Sequence, residues 1–179
     1  KYTFESKIYM LLSIVMIVKN EEKILEKTLK SLTTLRNSIE SELIIVDTGS
    51  TDDTINISRK YTENVYFHNW NNDFSSMRNI SISYAKGEWL LILDADEILI
   101  DSSTIVKFFK DGLDKKFNSA SIQLKNLYSY DKKLYGYCSV LRLFKNVDFR
   151  YHGKVHEQPI YKNPIFNNVA DFEHYGYLF

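Results

Sequence analysis

Strand-like and helix-like patterns of apolar residues alternate along the first hundred residues. Apolar runs of strand length occupy four segments: 13–18, 43–46, 64–67 and 88–93. Between them, apolar residues recur at helical spacing in three segments: 20–35, 51–61 and 74–84. This alternation predicts an α/β fold, in which a mixed, mainly parallel sheet carries helices on both faces.

The apolar run at 8–18 also has the length of a signal-peptide core. Lys7 precedes it, but the polar segment 19–22 follows it in place of a cleavage site of small residues. The run is too short to cross a bilayer. We therefore predict a buried strand here and no transmembrane segment.

Polar residues mark where the first two helices are expected to start. Asn20 is placed to cap a helix that continues through Leu35. Ser50 or Thr51 is placed to cap a second helix, through about Tyr61.

The pattern changes after about residue 100. Ser102 or Ser103 is placed to cap one more helix, through about Gly112. Two segments with the alternation of antiparallel strands follow, and then two shorter candidate strands: 120–125, 137–144, 147–151 and 155–161. We predict that both halves share one continuous sheet within a single domain, 1–179.

Composition limits the class of partner. The 179 residues include 23 Lys and Arg against 23 Asp and Glu, so the net charge offers no general attraction for nucleic acid. The single cysteine, Cys138, cannot form an internal disulfide, which favours a reducing compartment. We expect a cytoplasmic protein, or one held at the inner face of a membrane, with no nucleic-acid partner.

Two carboxylates follow the fourth predicted strand. Asp94 and Asp96 lie one residue apart, directly after 88–93. A carboxylate is costly to bury unpaired, so both belong at the exposed C-terminal end of the strand, where open α/β sheets bind ligands. Such a pair suits a divalent cation that carries phosphates. In the structural alternative, Asp94 starts a turn and Asp96 caps the next helix.

Two further charged residues are expected near the same edge of the sheet. Asp47 ends the second predicted strand, where its carboxylate can accept hydrogen bonds from a base or a ribose; the alternative is a helix-capping motif with an incidental Asp. Arg78 suits a diphosphate, or a carboxylate partner such as Asp47 or Asp94; the alternative is a solvated arginine.

The segment 151–159 concentrates groups able to ligate a metal or move a proton. His156 could complete a metal shell, and Glu157 could be a general base. The two alternate along the chain, so they share a site only if the backbone turns, which Gly153 and Pro159 permit. The alternatives are a structural histidine and a surface glutamate.

Two other histidines and one tryptophan carry no such pattern. His68 and His174 are predicted to be structural. Trp70 lies in a polar loop, where it could stack on a substrate or anchor the loop.

Four motifs together resemble a known family. They occur in a fixed order, at 15–21, 45–52, 77–79 and 94–96. This order and spacing closely resemble the family-2 inverting glycosyltransferases of GT-A fold, over at least residues 13–100. The resemblance implies a nucleotide-sugar donor, usually UDP-linked, and Mg²⁺ or Mn²⁺ as cofactor.

The resemblance also implies roles for residues of the predicted donor half, about 13–100. Asp47 would contact the uracil, and the backbone around Val18, Lys19 and Asn20 would line the base pocket. Arg78 would approach the nucleotide.

Further implied roles belong to the Asp-x-Asp motif. Asp94 and Ala95 would face the donor, with Asp94 at the ribose or in the metal shell, and Asp96 would bind the metal. Our hypothesis for the acceptor's general base is Glu157, with Asp101 as the weaker alternative.

The segment His-Gly-x-Val-His-Glu resembles that of a subgroup whose members modify peptides, such as the bacteriocin S-glycosyltransferases, or build saccharides. Many of them continue into a helical-repeat domain, so we expect acceptor-binding parts beyond the predicted acceptor half, about 101–179. The predicted reaction is metal-dependent, inverting sugar transfer to a saccharide, lipid-linked or peptide acceptor. Two alternatives remain: a donor-binding domain without turnover, and a nucleotidyltransferase, which usually has a Gly-rich loop that segment 19–22 lacks.

Overall fold

The computed structural model describes residues 9–178, so Lys7 and Ile8 at the start of the apolar run lie outside it. The strands are β1 (Leu12–Val18), β2 (Ser41–Asp47), β3 (Val65–Phe67), β4 (Trp89–Ile92), β5 (Glu97–Asp101), β6 (Ser119–Leu127), β7 (Tyr135–Lys145), β8 (Arg150–His152), β9 (Gln158–Ile160), β10 (Ile165–Phe166) and β11 (Asp171–His174). The helices are α1 (Leu25–Ser31), α2 (Thr33–Ser38), α3 (Thr54–Arg59), α4 (Phe74–Ser83) and α5 (Ser103–Lys110).

One large sheet contains strands from both halves of the chain. Its order is β3-β2-β1-β4-β7-β6-β11-β5, and β10 also pairs with β6. The pairs β1–β2, β1–β4, β2–β3, β6–β10 and β6–β11 are parallel, whereas β4–β7, β6–β7 and β5–β11 are antiparallel. The prediction of a mixed, mainly parallel sheet is confirmed. Strands β8 and β9 form a separate two-stranded sheet.

Apolar residues of the central strands are buried on both faces of the large sheet. On one face, Leu91 and Leu93 pack in a cluster with residues of α1, α2, α3 and α5, which we call the first core. On the other face, Leu90 and Ile92 pack with Ile82 of α4 and with the region of β8, which we call the second core. Burial on both faces explains the nearly continuous apolar runs of β1, β2 and β4. Within 9–178, no helix is long and apolar enough to cross a membrane.

The predicted starts of the first two helices are wrong. Asn20 has φ = 55°, which no helical residue adopts, and its side-chain oxygen accepts a hydrogen bond from Thr51 N at 2.8 Å. Asn20 therefore ties the loop after β1 to the loop after β2, and helix begins only at α1, breaking near Leu32 into α2. Helix α3 begins at Thr54 because Asp52 accepts hydrogen bonds from that residue's backbone and hydroxyl.

Three short strands were not predicted: β5, β10 and β11. Strand β11 pairs in parallel with β6 and antiparallel with β5, and it sets His174 opposite Glu97. Segments of two to five residues carry too little periodicity to be recognised, because their pairing is decided by tertiary neighbours. Because β11 is not predicted from the sequence, the position of His174 is not predicted either.

Gly87 lies against the backbone of β1 and allows one test of the packing. A Cβ at this position would fall 2.5 Å from Ser13 N, and Gly87 N donates to Ser13 Oγ, which donates to the buried carboxylate of Glu42. We expect Gly87→Ala to lower the free energy of unfolding by about 1–3 kcal/mol, measured by urea denaturation. Gly136→Ala is the control, because its Cβ would meet only the Tyr128 ring, at 3.4 Å; equal losses in both variants would contradict this account.

Candidate active site

The main cavity opens at the edge of the sheet where β1, β2 and β4 end. Its volume is about 550 Å³. Because these strands are parallel neighbours, their C-terminal ends meet at one edge, where ligands of open α/β sheets bind. Of the predicted donor-site residues, the ones that line this cavity are Val18, Lys19, Arg78, Asp94, Ala95 and Asp96.

The end of β2 presents a buried acceptor beside this cavity. Asp47 is 1% exposed, and its Oδ2 accepts hydrogen bonds from Gly49 N and Ser50 N at 2.9 and 3.1 Å. Within the described residues its Oδ1 has no hydrogen-bond partner, although it is buried. Thr48 lines the cavity directly, whereas Asn20 does not and instead joins the two loops. A buried carboxylate oxygen without a partner suits an N–H donor such as that of a base.

Two arginines bind the carboxylate of Asp94. Arg78 Nη2 lies 2.6 Å from Oδ1, and Arg142 Nη2 lies 2.8 Å from Oδ2. Although burial opposes it, the charges of Arg78 and Arg142 hold the pKa of Asp94 well below its usual range. The alternative of a solvated Arg78 is wrong, because this side chain is buried and pairs with Asp94.

Arg142 and Glu97 belong to the same charged cluster, and neither is among the site residues predicted from the sequence. Arg142 Nη2 lies 2.5 Å from Glu97 Oε1, and Glu97 Oε2 accepts a hydrogen bond from Asp94 N at 3.0 Å. Burial raises the pKa of Glu97, and the charge of Arg142 opposes that shift. Two sequence features could have indicated them. Glu97 directly follows the Asp-x-Asp motif, and Arg142 is an arginine within an apolar strand.

Asp96 faces a histidine that the sequence analysis predicted to be structural. His174 Nε2 lies 3.4 Å from Asp96 Oδ2, and both residues line the cavity. On the other side of the ring, Nδ1 donates to the side-chain oxygen of Asn126 at 2.8 Å, since an amide oxygen can only accept. The hydrogen bond with Asp96 raises the pKa of His174. The prediction that His174 is structural therefore missed its position beside Asp96 on the wall of the cavity.

The surroundings of Asp96 fit a divalent cation. The Asn126 contact leaves His174 Nε2 turned toward Asp96, which is how a second hydrogen bond orients metal-binding imidazoles. Gly176 leaves the space open, because a Cβ there would fall 2.6 Å from Asp96 Oδ2 and 2.7 Å from His174 Nε2. Among residues 9–178 no group of three or more His, Cys, Asp or Glu is placed to hold a metal ion. Two protein ligands suffice for Mg²⁺ when phosphates supply others.

Glu21 is a further acidic residue on the wall of the same cavity. Burial, followed by the charges of Asp96 and Asp94, raises the pKa of Glu21 to about 7. The carboxylates on this side of the cavity therefore repel one another, and a bound cation would relieve that repulsion.

A neutral residue at position 21 is expected to change the pH dependence of stability. The raised pKa of Glu21 contributes stability below its ordinary value of 4.5, and this contribution is lost as the pH rises through about 7. We expect Glu21→Gln to have the wild-type Tm near pH 4.5 and a Tm about 2–4 °C above that of the wild type at pH 8. This corresponds to a gain of about 1 kcal/mol in the free energy of unfolding, because solvent screening reduces the effect. Glu22→Gln is the control. A constant difference between the Glu21→Gln and wild-type Tm values from pH 4.5 to 8 would contradict the shift.

The backbone does turn between β8 and β9, with positive φ at Gly153 and His156. As a result the side chain of Glu157 is only 18% exposed and lines the cavity, with Oε1 3.4 Å from Arg78 Nε. His156 is exposed and does not line the cavity. The structure thus brings Glu157 to the other candidates and leaves His156 outside.

Asp101 lies outside the cavity as well. It ends β5 and accepts hydrogen bonds from the backbone and hydroxyl of Ser103, at the start of α5. Those hydrogen bonds lower its pKa. Trp70 does line the cavity, with its ring 4.6 Å from that of Phe74 in an edge-to-face contact.

A second cavity of about 420 Å³ shares three lining residues with the first: Arg78, Asp94 and Glu157. It is also lined by Tyr151, which is buried, and by Tyr161, which is 45% exposed. The predicted base, Glu157, therefore lines two neighbouring cavities.

Comparison with known sequences identifies the family. The sequence profile of Glycosyl transferase family 2 matches residues 13–148. The glycosyltransferase SunS of Bacillus subtilis (strain 168) is 34% identical over 169 residues, which are 90% of this chain and 38% of SunS. A TPR repeat-containing protein of Synechococcus elongatus is 41% identical over 88 residues, 49% of this chain and 21% of that protein. The chain spans well under half the length of these curated relatives.

Solved structures of similar shape agree with this assignment. The crystal structure of S. aureus TarS 1–349 has a TM-score of 0.54 and 25% identity, covering 67% of this chain and 37% of that one. The mannosyltransferase PcManGT from Pyrobaculum calidifontis has a TM-score of 0.57 and 17% identity, covering 78% of this chain and 45% of that one, which bears on the fold alone. The predicted GT-A fold is confirmed, and the chain belongs to glycosyl transferase family 2.

Proposed function

We propose that this protein transfers a sugar from a nucleotide-sugar donor to an acceptor hydroxyl or thiol. The UDP-linked form is the first donor to test. The observation that carries the proposal is one cavity that is lined by the Asp96–His174 pair, by Glu157 and by Thr48, the neighbour of Asp47 with its unpartnered carboxylate oxygen. A nucleoside diphosphate needs those two features, a cation for its phosphates and an acceptor for its base.

Asp96 and His174 are the residues that would hold Mg²⁺ or Mn²⁺. When bound, the cation offsets the charge of the diphosphate and stabilises it as a leaving group. His174 takes the place that His156 has in the sequence-based prediction, because it faces Asp96 and lines the cavity. Asp94 has both oxygens engaged by arginines, so its proposed part is to fix Arg78 beside the donor.

Glu157 is proposed as the general base. Its carboxylate removes the proton of the acceptor as the acceptor's oxygen or sulfur forms a bond to the anomeric carbon. The bond from that carbon to the diphosphate oxygen breaks in the same step, so the configuration inverts and no covalent enzyme intermediate forms. Asp101 is less well supported, because it lies outside the cavity and caps α5.

The acceptor is proposed to approach from the second cavity. Glu157 lines both cavities, so an acceptor in the second cavity and a donor in the first can both reach this carboxylate. Tyr151 and Tyr161 offer aromatic surface, which suits a saccharide or a peptide, and a lipid-linked saccharide is the third acceptor class.

Release of nucleoside diphosphate from a donor panel tests this function. UDP-glucose, UDP-GlcNAc and GDP-mannose are incubated with the protein, with and without Mn²⁺, and free UDP or GDP is measured. Two of these donors follow from the structural relatives, since TarS has been crystallised with UDP-GlcNAc and PcManGT with GDP-Man and Mn²⁺, and UDP-glucose adds a second UDP-linked sugar. We expect Mn²⁺-dependent release from one donor, by slow hydrolysis when no acceptor is added. No release from any donor, with an acceptor lysate or without, would contradict the proposal.

The competing reading is a donor-binding domain without turnover. The chain covers 38% of SunS, so turnover by this chain is a proposal and donor binding without turnover is its alternative. It predicts Mn²⁺-dependent nucleotide binding with no release of nucleoside diphosphate, so the same panel and a binding measurement separate the two readings.

A further inference from the structure

Strand β7 contains a one-residue irregularity at Arg142. Ala120 of β6 pairs with Leu143, but the next residue, Ser121, pairs with Leu141, so Arg142 is the extra residue of a β-bulge. The packing supports the bulge. Residues two apart in a regular strand share a face, yet Leu143 lies in the first core and Leu141 packs against the second core, on the other face. Bulges of this kind re-aim a side chain and often lie near active sites.

The bulge directs the Arg142 side chain onto two carboxylates. Its Nη2 lies 2.8 Å from Asp94 Oδ2 and 2.5 Å from Glu97 Oε1. Its side chain is 14% exposed, and it lines the second cavity. This one nitrogen therefore links β7 to Asp94, in the loop that follows β4, and to Glu97, the first residue of β5.

A chain of contacts leads from Arg142 to the proposed base. The other oxygen of Asp94, Oδ1, accepts from Arg78 Nη2 at 2.6 Å, and Arg78 Nε faces Glu157 Oε1 at 3.4 Å. Glu157 lies in a turn without regular secondary structure. Within the described residues, its carboxylate is held by the ion pair with the guanidinium of Arg78. The orientation of Arg78 in turn depends on Asp94.

We propose that Arg142 is a positioning residue for the transfer reaction: from the β-bulge it fixes Asp94, and through Asp94 and Arg78 it sets the carboxylate of Glu157 at the junction of the two cavities. In this proposal Arg142 acts through Asp94 and Arg78, because its guanidinium is engaged by the carboxylates of Asp94 and Glu97. This inference rests on the proposed function, since Glu157 is the base in that proposal.

A purely structural role must be separated from positioning. Arg142→Met leaves Glu97 buried without its charge partner, so this single variant is expected to lose stability for that reason alone. The informative pair is Glu97→Gln and the double variant Glu97→Gln/Arg142→Met, because neither contains an unpaired buried Glu97 charge. Arg36→Met is the matched control, as Arg36 is half-buried and its Nη1 donates to the carbonyl of Tyr61, far along the chain from the cluster.

Positioning predicts a loss of rate that stability does not explain. We expect the double variant to melt close to Glu97→Gln but to have a kcat about 100-fold lower, with the donor KM little changed, as misplacement of a reacting group produces. Arg36→Met is expected to keep the wild-type kcat. Equal kcat values for Glu97→Gln and the double variant would overturn the proposal, as would a loss confined to KM.

A second readout does not depend on turnover. The ¹⁵N–¹H resonance of Arg78 Nε reports its contact with Glu157, and we expect it to shift or broaden in the double variant relative to Glu97→Gln, but not in Arg36→Met. An unchanged resonance would overturn the positioning role. If the wild type itself releases no nucleoside diphosphate, the proposed function fails, and this resonance still decides whether Arg142 orders Arg78.

Discussion

Asp96→Asn is expected to reduce sugar transfer by about 10³-fold, equivalent to about 4 kcal/mol of transition-state stabilisation. Asp96 is the carboxylate nearest His174 Nε2, and both line the main cavity. An amide at this position keeps the shape of the side chain but removes the charge that would hold the cation. Release of UDP or GDP from the donor that the wild type accepts, at saturating Mn²⁺, is the measurement.

The control for this variant is Asp53→Asn. Asp53 is exposed and its side chain accepts a hydrogen bond only from nearby Asn56 among the contacts described, so its loss removes the same charge without touching the cavity. We expect Asp53→Asn to retain wild-type turnover. Wild-type turnover and cation dependence in Asp96→Asn would place the cation elsewhere and remove the basis of the proposed site.

Glu157→Gln is expected to lower kcat for transfer by about 10²–10⁴-fold while leaving donor affinity near the wild-type value. The variant keeps the size of the side chain and removes only its capacity to accept the acceptor's proton. Because Glu157 lies on the wall shared by the two cavities, the donor site itself should remain intact. Steady-state transfer and equilibrium binding of the donor nucleotide are measured on the same preparation.

Asp101→Asn distinguishes the two candidates for the base. Asp101 accepts hydrogen bonds from Ser103 at the start of α5, so its substitution should cost some stability and leave kcat unchanged. If Asp101→Asn abolished transfer and Glu157→Gln did not, the assignment of Glu157 would be wrong.

Residues at the ends of long buried strands were placed well by the sequence. The apolar runs of β1, β2 and β4 predict the parallel half of the sheet, and their ends carry Asp47 and Asp94 to one edge. Burial on both faces produces apolar runs that are easy to recognise, and the C-terminal edge of such a sheet is fixed by its topology. This part of the site could therefore be predicted without coordinates.

Partners that come from short strands could not be placed in this way. His174 reaches Asp96 because β11 inserts between β5 and β6, a pairing that four residues do not encode locally. Arg142 reaches Asp94 through a bulge, which shifts the alternation by one residue and is invisible to a two-residue period. The motif at 151–159 predicts His156 as the metal ligand, yet the side chain of His156 is exposed.

The most direct test of the central claim is a calorimetric titration of the wild-type protein with UDP, and separately with GDP, in the presence of Mn²⁺ and after chelation of divalent cations. If Asp96 and His174 hold a cation that binds the diphosphate, UDP affinity should be at least about tenfold higher with Mn²⁺, a difference of about 1.4 kcal/mol. Equal UDP affinity with and without Mn²⁺, or no binding of UDP or GDP under either condition, would contradict the claim that this cavity is a cation-dependent nucleotide-sugar site.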